Sequence, residues 1–118
     1  MGRGLSPLQR TFLTIAARNR QSGNDPYWTP DVYTLEVVAE HWQLALPFWL
    51  FREDGARNHD RFLRRGAGVA VSPAQHAAVS RAASRLIARR LLVKDRGGKG
   101  FSLTPEGLAA AVAMAEAV

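Results

Sequence analysis

The sequence predicts a mostly α-helical domain carrying a small β-hairpin, and three observations lead there. Apolar residues recur at helical spacing in several stretches, two of which open on the same Ser-Pro-x-Gln start. Late in the chain, two short apolar runs flank a turn rich in glycine. A length of 118 residues with 47% apolar composition suffices for one packed core and is too short for two.

Taken in order, Ser6-Pro7-Leu8-Gln9 opens the first helix. Ser6 suits the cap, Pro7 the first helical position, and Gln9 can reach back to complete a capping box. Leu8, Phe12, Leu13, Ile15 and Ala16 then recur at helical spacing, and Gln21 to Pro26 ends the helix with turn chemistry. Tyr27, Trp28, Val32 and Tyr33 suit a short strand. Thr34 reads as the cap of a second helix, from Leu35 to about Gln43, with Leu35, Val38, Ala39 and Trp42 on one side. Residues 44 to 71 follow no single period, and short helices are expected near 47 to 54 and 58 to 65. Their aromatics Phe48, Trp49 and Phe51 read as core or as a dimer interface rather than a base-stacking platform.

Ser72-Pro73-Ala74-Gln75 starts the third long helix, which runs to about Arg90 without an internal Gly or Pro after Pro73. Leu91 to Asp95 reads as a strand, Arg96-Gly97-Gly98-Lys99-Gly100 as a hairpin turn, and Phe101-Ser102-Leu103 as the returning strand. Thr104-Pro105-Glu106 caps a last helix through Leu108, Val112 and Met114.

Helix, short strand, helix, helix, hairpin, helix is the order of a winged helix-turn-helix. The run Val79 to Val93, followed by Arg96-Gly97-Gly98-Lys99-Gly100 and Leu103-Thr104-Pro105-Glu106-Gly107, resembles the recognition helix, wing and post-wing helix of MarR-type transcriptional regulators. The resemblance extends over roughly 72 to 108 and over 5 to 43. Residues 44 to 71 stand as an insertion where that family has a tight turn, within a single domain spanning 1 to 118. The resemblance implies the fold and DNA binding.

Charge points the same way. The net charge of +6 is segregated: residues 52 to 100 carry twelve basic against four acidic side chains, residues 1 to 51 balance, and the remainder is slightly acidic. Solubility needs no such segregation, whereas a polyanion-binding surface does. With no cysteine, a disulfide scaffold, a thiol nucleophile and thiolate metal sites are excluded. The start Met1-Gly2-Arg3-Gly4-Leu5 has no apolar run behind its charge, so neither a signal peptide nor a membrane span is expected, and the expected location is cytoplasmic. His41, His59 and His76 lack metal-ligand spacing, and His76 falls near the core edge of its helix. No nucleophile or nucleotide-binding motif occurs, so no enzyme activity, catalytic residue, metal or cofactor is expected.

At about 100° per residue, Val79, Ala83 and Leu86 form the core stripe of the third helix, flanked by Ala82 and Ile87. Ala74, Ala77, Arg81, Ser84, Arg85 and Ala88 occupy the opposite face, with Ser80 on its shoulder. Small residues there allow close approach to base edges in a major groove about 12 Å wide. The expected base-reading residues are Ala77, Ser80, Arg81 and Ser84, with Arg81 suited to guanine O6 and N7. The expected backbone contacts are Ser72, Arg85, Lys94, Arg96 and Lys99. Arg61, Arg64 and Arg65, with Arg52 and Arg57, either extend that surface or form a solvated loop partnered by Glu53, Asp54 and Asp60.

The function expected is sequence-specific binding of double-stranded DNA by a transcriptional regulator, most naturally a repressor acting as a homodimer on half-sites about 34–36 Å apart. The alternatives are a replication or partition factor of a mobile element, and a winged helix used as a protein-interaction module.

Overall fold

Two of the long helices start identically, and the start is local chemistry. In the computed structural model, which describes residues 4–23, 29–63, 70–95 and 100–117, Ser6 Oγ accepts from the Gln9 amide at 3.2 Å while Gln9 Oε1 accepts from the Ser6 amide at 3.1 Å. Ser72 and Gln75 repeat the exchange at 3.1 Å each way. Each box satisfies two amides that a helix start otherwise leaves without partners. The elements are α1 (Pro7–Gln21), β1 (Val32–Tyr33), α2 (Thr34–His41), a 3₁₀ turn at Phe48–Leu50, α3 (His59–Leu63), α4 (Pro73–Ala88), β2 (Leu92–Lys94), β3 (Gly100–Leu103) and α5 (Pro105–Glu116). Thr104 caps α5 by accepting from the Gly107 amide at 2.9 Å.

The chain is therefore mostly helical, with one small three-stranded antiparallel sheet of order β1-β3-β2. Val32 pairs with Phe101, and Leu92 with Leu103, so β3 lies in the middle. The predicted third long helix is α4, and its successor strands pair as the hairpin pattern requires. One core joins Phe12, Leu13, Ile15 and Ala16 of α1 to Val37 and Val38 of α2, Val79 and Leu86 of α4, and Leu92, Phe101 and Leu103 of the sheet. Phe12 meets Phe101 edge-on, with centroids 5.6 Å apart, a geometry the ring quadrupoles favour.

Several boundaries differ from the sequence expectation. Thr34 is not the cap of α2 but its first helical residue; Tyr33 holds the cap position, and its amide donates to Glu36 Oε1 at 2.9 Å. The stabilising side chain therefore sits inside the first turn, where a carboxylate also meets the positive helix end. The second helix ends at His41 rather than Gln43, because Gln43 takes a positive φ of 56°. Likewise α4 stops at Ala88, with Arg90 at φ 63° breaking the helical path. The expected helix near 47 to 54 shrinks to the 3₁₀ turn, and that near 58 to 65 is found as α3, with residues 64 and 65 lying outside the described ones. Tyr27 and Trp28 lie outside the described residues, so the first strand is the pair Val32–Tyr33.

Candidate nucleic-acid interface

Burial along α4 divides the helix into two faces. Val79, Ala82, Ala83 and Leu86 are buried, and Ser80, Arg81, Ser84, Arg85 and Ala88 are exposed, with Ala77 half-buried. Ser72 and Lys94 are also exposed, the former with its hydroxyl engaged in the cap. Two side chains assigned to the core flank depart from it: Ile87 is 38% exposed and His76 is exposed. Both lie about 60–80° from Val79 on the Ser80 side, toward the exposed face of the helix. Arg85 and Ala88 share a shallow groove with Leu5, Ser6 and Gln9 of the α1 start. The exposed face of α4 is thus bounded on one side by the first helix. Arg64, Arg65, Arg96 and Lys99, expected as backbone contacts, lie outside the described residues.

The root of the hairpin is fixed by a buried ion pair. Asp31 is 0% exposed; Arg20 donates Nε to Oδ1 at 3.0 Å and Nη2 to Oδ2 at 2.5 Å, and the Leu103 amide donates to Oδ2 at 2.8 Å. One carboxylate therefore ties α1 to both β1 and β3. Its hydrogen bond with Asp31 raises the Arg20 pKa, against the opposing cost of burial. Two glycines permit the close packing around this root. A Cβ on Gly100 would meet Pro30 Cγ at 2.7 Å, and one on Gly107 would sit 1.9 Å from the Leu91 carbonyl oxygen. The hairpin and α5 are therefore set against the domain by backbone approach, which only glycine allows at those places.

Residues 44–63 build a second, smaller cluster from Tyr33, Leu50 and Phe62, with Leu35, Leu46 and Phe51 packed against it. Tyr33 and Phe62 stack with centroids 4.5 Å apart, and the Tyr33 hydroxyl is hydrogen-bonded to His59 Nδ1. Arg57 is neither a phosphate-facing cation nor a member of a solvated loop. It pairs with Glu36 at 3.0 Å, the two side chains 9% and 10% exposed, lies over the Tyr33 ring, and donates to the Pro30 carbonyl at 3.0 Å. Desolvation raises the Glu36 pKa, with Arg57 and the Tyr33 amide pulling the other way. Burial likewise raises Tyr33. Arg52 does behave as a solvated cation, paired with Asp54 at 3.1 Å, while Arg61 donates to the Trp49 carbonyl at 2.5 Å. Of the three aromatics expected in a core or interface, only Phe51 packs on the cluster; Phe48 is 87% and Trp49 39% exposed.

Sequence reasoning missed Asp31, Glu36 and Arg57 as structural hubs. Glu36 carried a signal, since an acidic residue three positions after a strand end marks a helix start. Asp31 carried none, because its partners stand far away in the chain. Among the described residues, no group of three His, Cys, Asp or Glu side chains could hold a metal ion, and no helix is long and apolar enough to cross a membrane. No protein-family model, no curated protein and no solved structure matches this chain.

Proposed function

We propose that this chain is a sequence-specific, double-stranded DNA-binding regulator of winged helix-turn-helix type, acting in the cytoplasm as a homodimeric repressor. The observation that carries the reading is the exposed face of α4. Arg81, Ser80 and Ser84 point outward there among alanines, directly ahead of an antiparallel hairpin whose turn sequence holds Arg96 and Lys99. A sheet of order β1-β3-β2 beside three packed helices supports the winged-helix assignment. Small side chains bring the helix backbone near base edges, and a central arginine can make two hydrogen bonds to guanine. The basic excess of residues 52 to 100 supplies phosphate attraction.

Fluorescence anisotropy with labelled duplexes selected from a random pool tests this reading. Affinity should fall steeply with salt, with a log–log slope of roughly −0.9 per phosphate contacted. Selected duplexes should outcompete random ones by about 10³ or more. Absence of binding at low salt, or a slope near zero, would overturn the reading.

A further inference from the structure

The last helix is apolar on every side. From Gly107 to Ala115 it holds no polar side chain, and a helix of that kind belongs in an interior. Leu108, Ala110 and Met114 pack against the main core. Only Gly107 and Ala111 are buried, however, while Ala109, Val112, Ala113 and Ala115 are exposed. Between α5 and α1 runs a groove of about 810 Å³, lined by Val112, Met114 and Ala115 on one helix and by Arg10, Thr14 and Arg18 on the other. None of the described α4 residues lines it.

The charges around this groove say what covers it. On α5 they are acidic only, Glu106 in the first turn and Glu116 at the end, both exposed. On the exposed face of α1 they are basic only, Arg10 and Arg18. Arg10, Glu106 and Glu116 have no ion pair among the described residues, and Arg18 pairs with Glu40 at 3.3 Å, both side chains being more than half exposed. Apolar surface is thus bordered by cations on one helix and by anions on its neighbour. Such a face complements itself under a two-fold rotation, which lays each α5 across the other copy's α1 and sets glutamates against arginines twice. A nucleic acid or an anionic bilayer would instead meet Glu106 and Glu116.

We propose that the groove between α1 and α5 is where a second copy of this chain docks, each α5 covering the apolar side of the other with its glutamates against the partner's Arg10 and Arg18. The proposal rests on the homodimer of the reading above and names its contact surface. Its test uses the free protein, so the outcome does not depend on DNA binding.

Light scattering on the full chain at roughly 50 μM in low salt reads the mass. The wild type should weigh two chains. Val112→Arg should weigh one, with unchanged circular dichroism; should it lose helical signal, Ala113→Arg on the exposed side of α5 takes its place. Glu106→Arg with Glu116→Arg, and separately Arg10→Glu with Arg18→Glu, should each weigh one chain. An equimolar mixture of those two charge-reversed proteins should regain the two-chain mass, because every contact again joins opposite charges. A single-chain mass for the wild type overturns both the proposal and the homodimer, and leaves DNA binding to the anisotropy measurement. A two-chain mass unmoved by Val112→Arg and by charge reversal puts the dimer contact elsewhere and overturns the groove. Charge-reversed proteins that stay single when mixed overturn the pairing of α5 with the partner's α1.

Discussion

Removing Arg20 should damage this protein more than its position near the end of a surface helix suggests. Its guanidinium is the charge partner of Asp31, which is completely buried and is held by two Arg20 bonds and the Leu103 amide. Arg20→Ala removes a cation that binds this fully buried carboxylate twice, a change that costs about 3–5 kcal/mol. Asp31→Ala is milder, at about 2–3 kcal/mol, because the 27%-exposed Arg20 side chain can turn to water while the Leu103 amide loses an acceptor. For a chain of 118 residues, one kcal/mol moves the melting midpoint by roughly 4 °C, so Arg20→Ala should lower it by roughly 12–20 °C. Urea unfolding of both single variants and the double variant measures the coupling, which should be about 1–3 kcal/mol with an unchanged slope. A loss below about 1 kcal/mol for Arg20→Ala, or additive single losses, would show that the pair does not hold the hairpin root as described.

Leu86→Ala should destabilise the fold by about 2–5 kcal/mol, since Leu86 is fully buried in the α4 stripe; chemical denaturation checks this. Arg81→Ala should leave stability unchanged and cost about 1–3 kcal/mol at a selected DNA site, relaxing preference at one base pair, whereas Lys99→Ala should weaken selected and random DNA alike and reduce the salt slope by about one. Gly107→Ala should cost at least about 1–3 kcal/mol, because its new methyl group would collide with backbone rather than with a yielding side chain; a melting curve matching the wild type would count against the packing of α5. Burial raises the Glu36 pKa above 4.5, so between 4.5 and that folded-state value the native chain holds a proton the unfolded chain releases. The stability of the wild type relative to Glu36→Gln should therefore decline as pH rises through that window, and a difference that instead grows with pH refutes the burial account.

The helix starts were legible in the sequence because capping is local. Ser6 with Gln9, Ser72 with Gln75, and Thr104 at α5 each find their partner within one turn. The stripe Val79, Ala83 and Leu86 was legible for a similar reason, since helical periodicity alone decides which side chains share a face. Pairing of β2 with β3 followed from two apolar runs across a short glycine-rich turn. What no local pattern carried is the set of long-range partners. Asp31 reaches across to Leu103, Glu36 is paired by Arg57, and Tyr33 is packed by Phe62 and His59. Residues 44–63 read as an aperiodic mixture because their order comes from that cluster rather than from their own spacing. Whether Phe48 faced inward or outward depended on which residue of a three-residue turn filled the available space, and Leu50 did. Local hydrogen-bonding and periodicity wrote the helices and hairpin into the sequence, whereas the sites of buried charge and exposed aromatic surface were decided only when distant segments competed for the same interior volume.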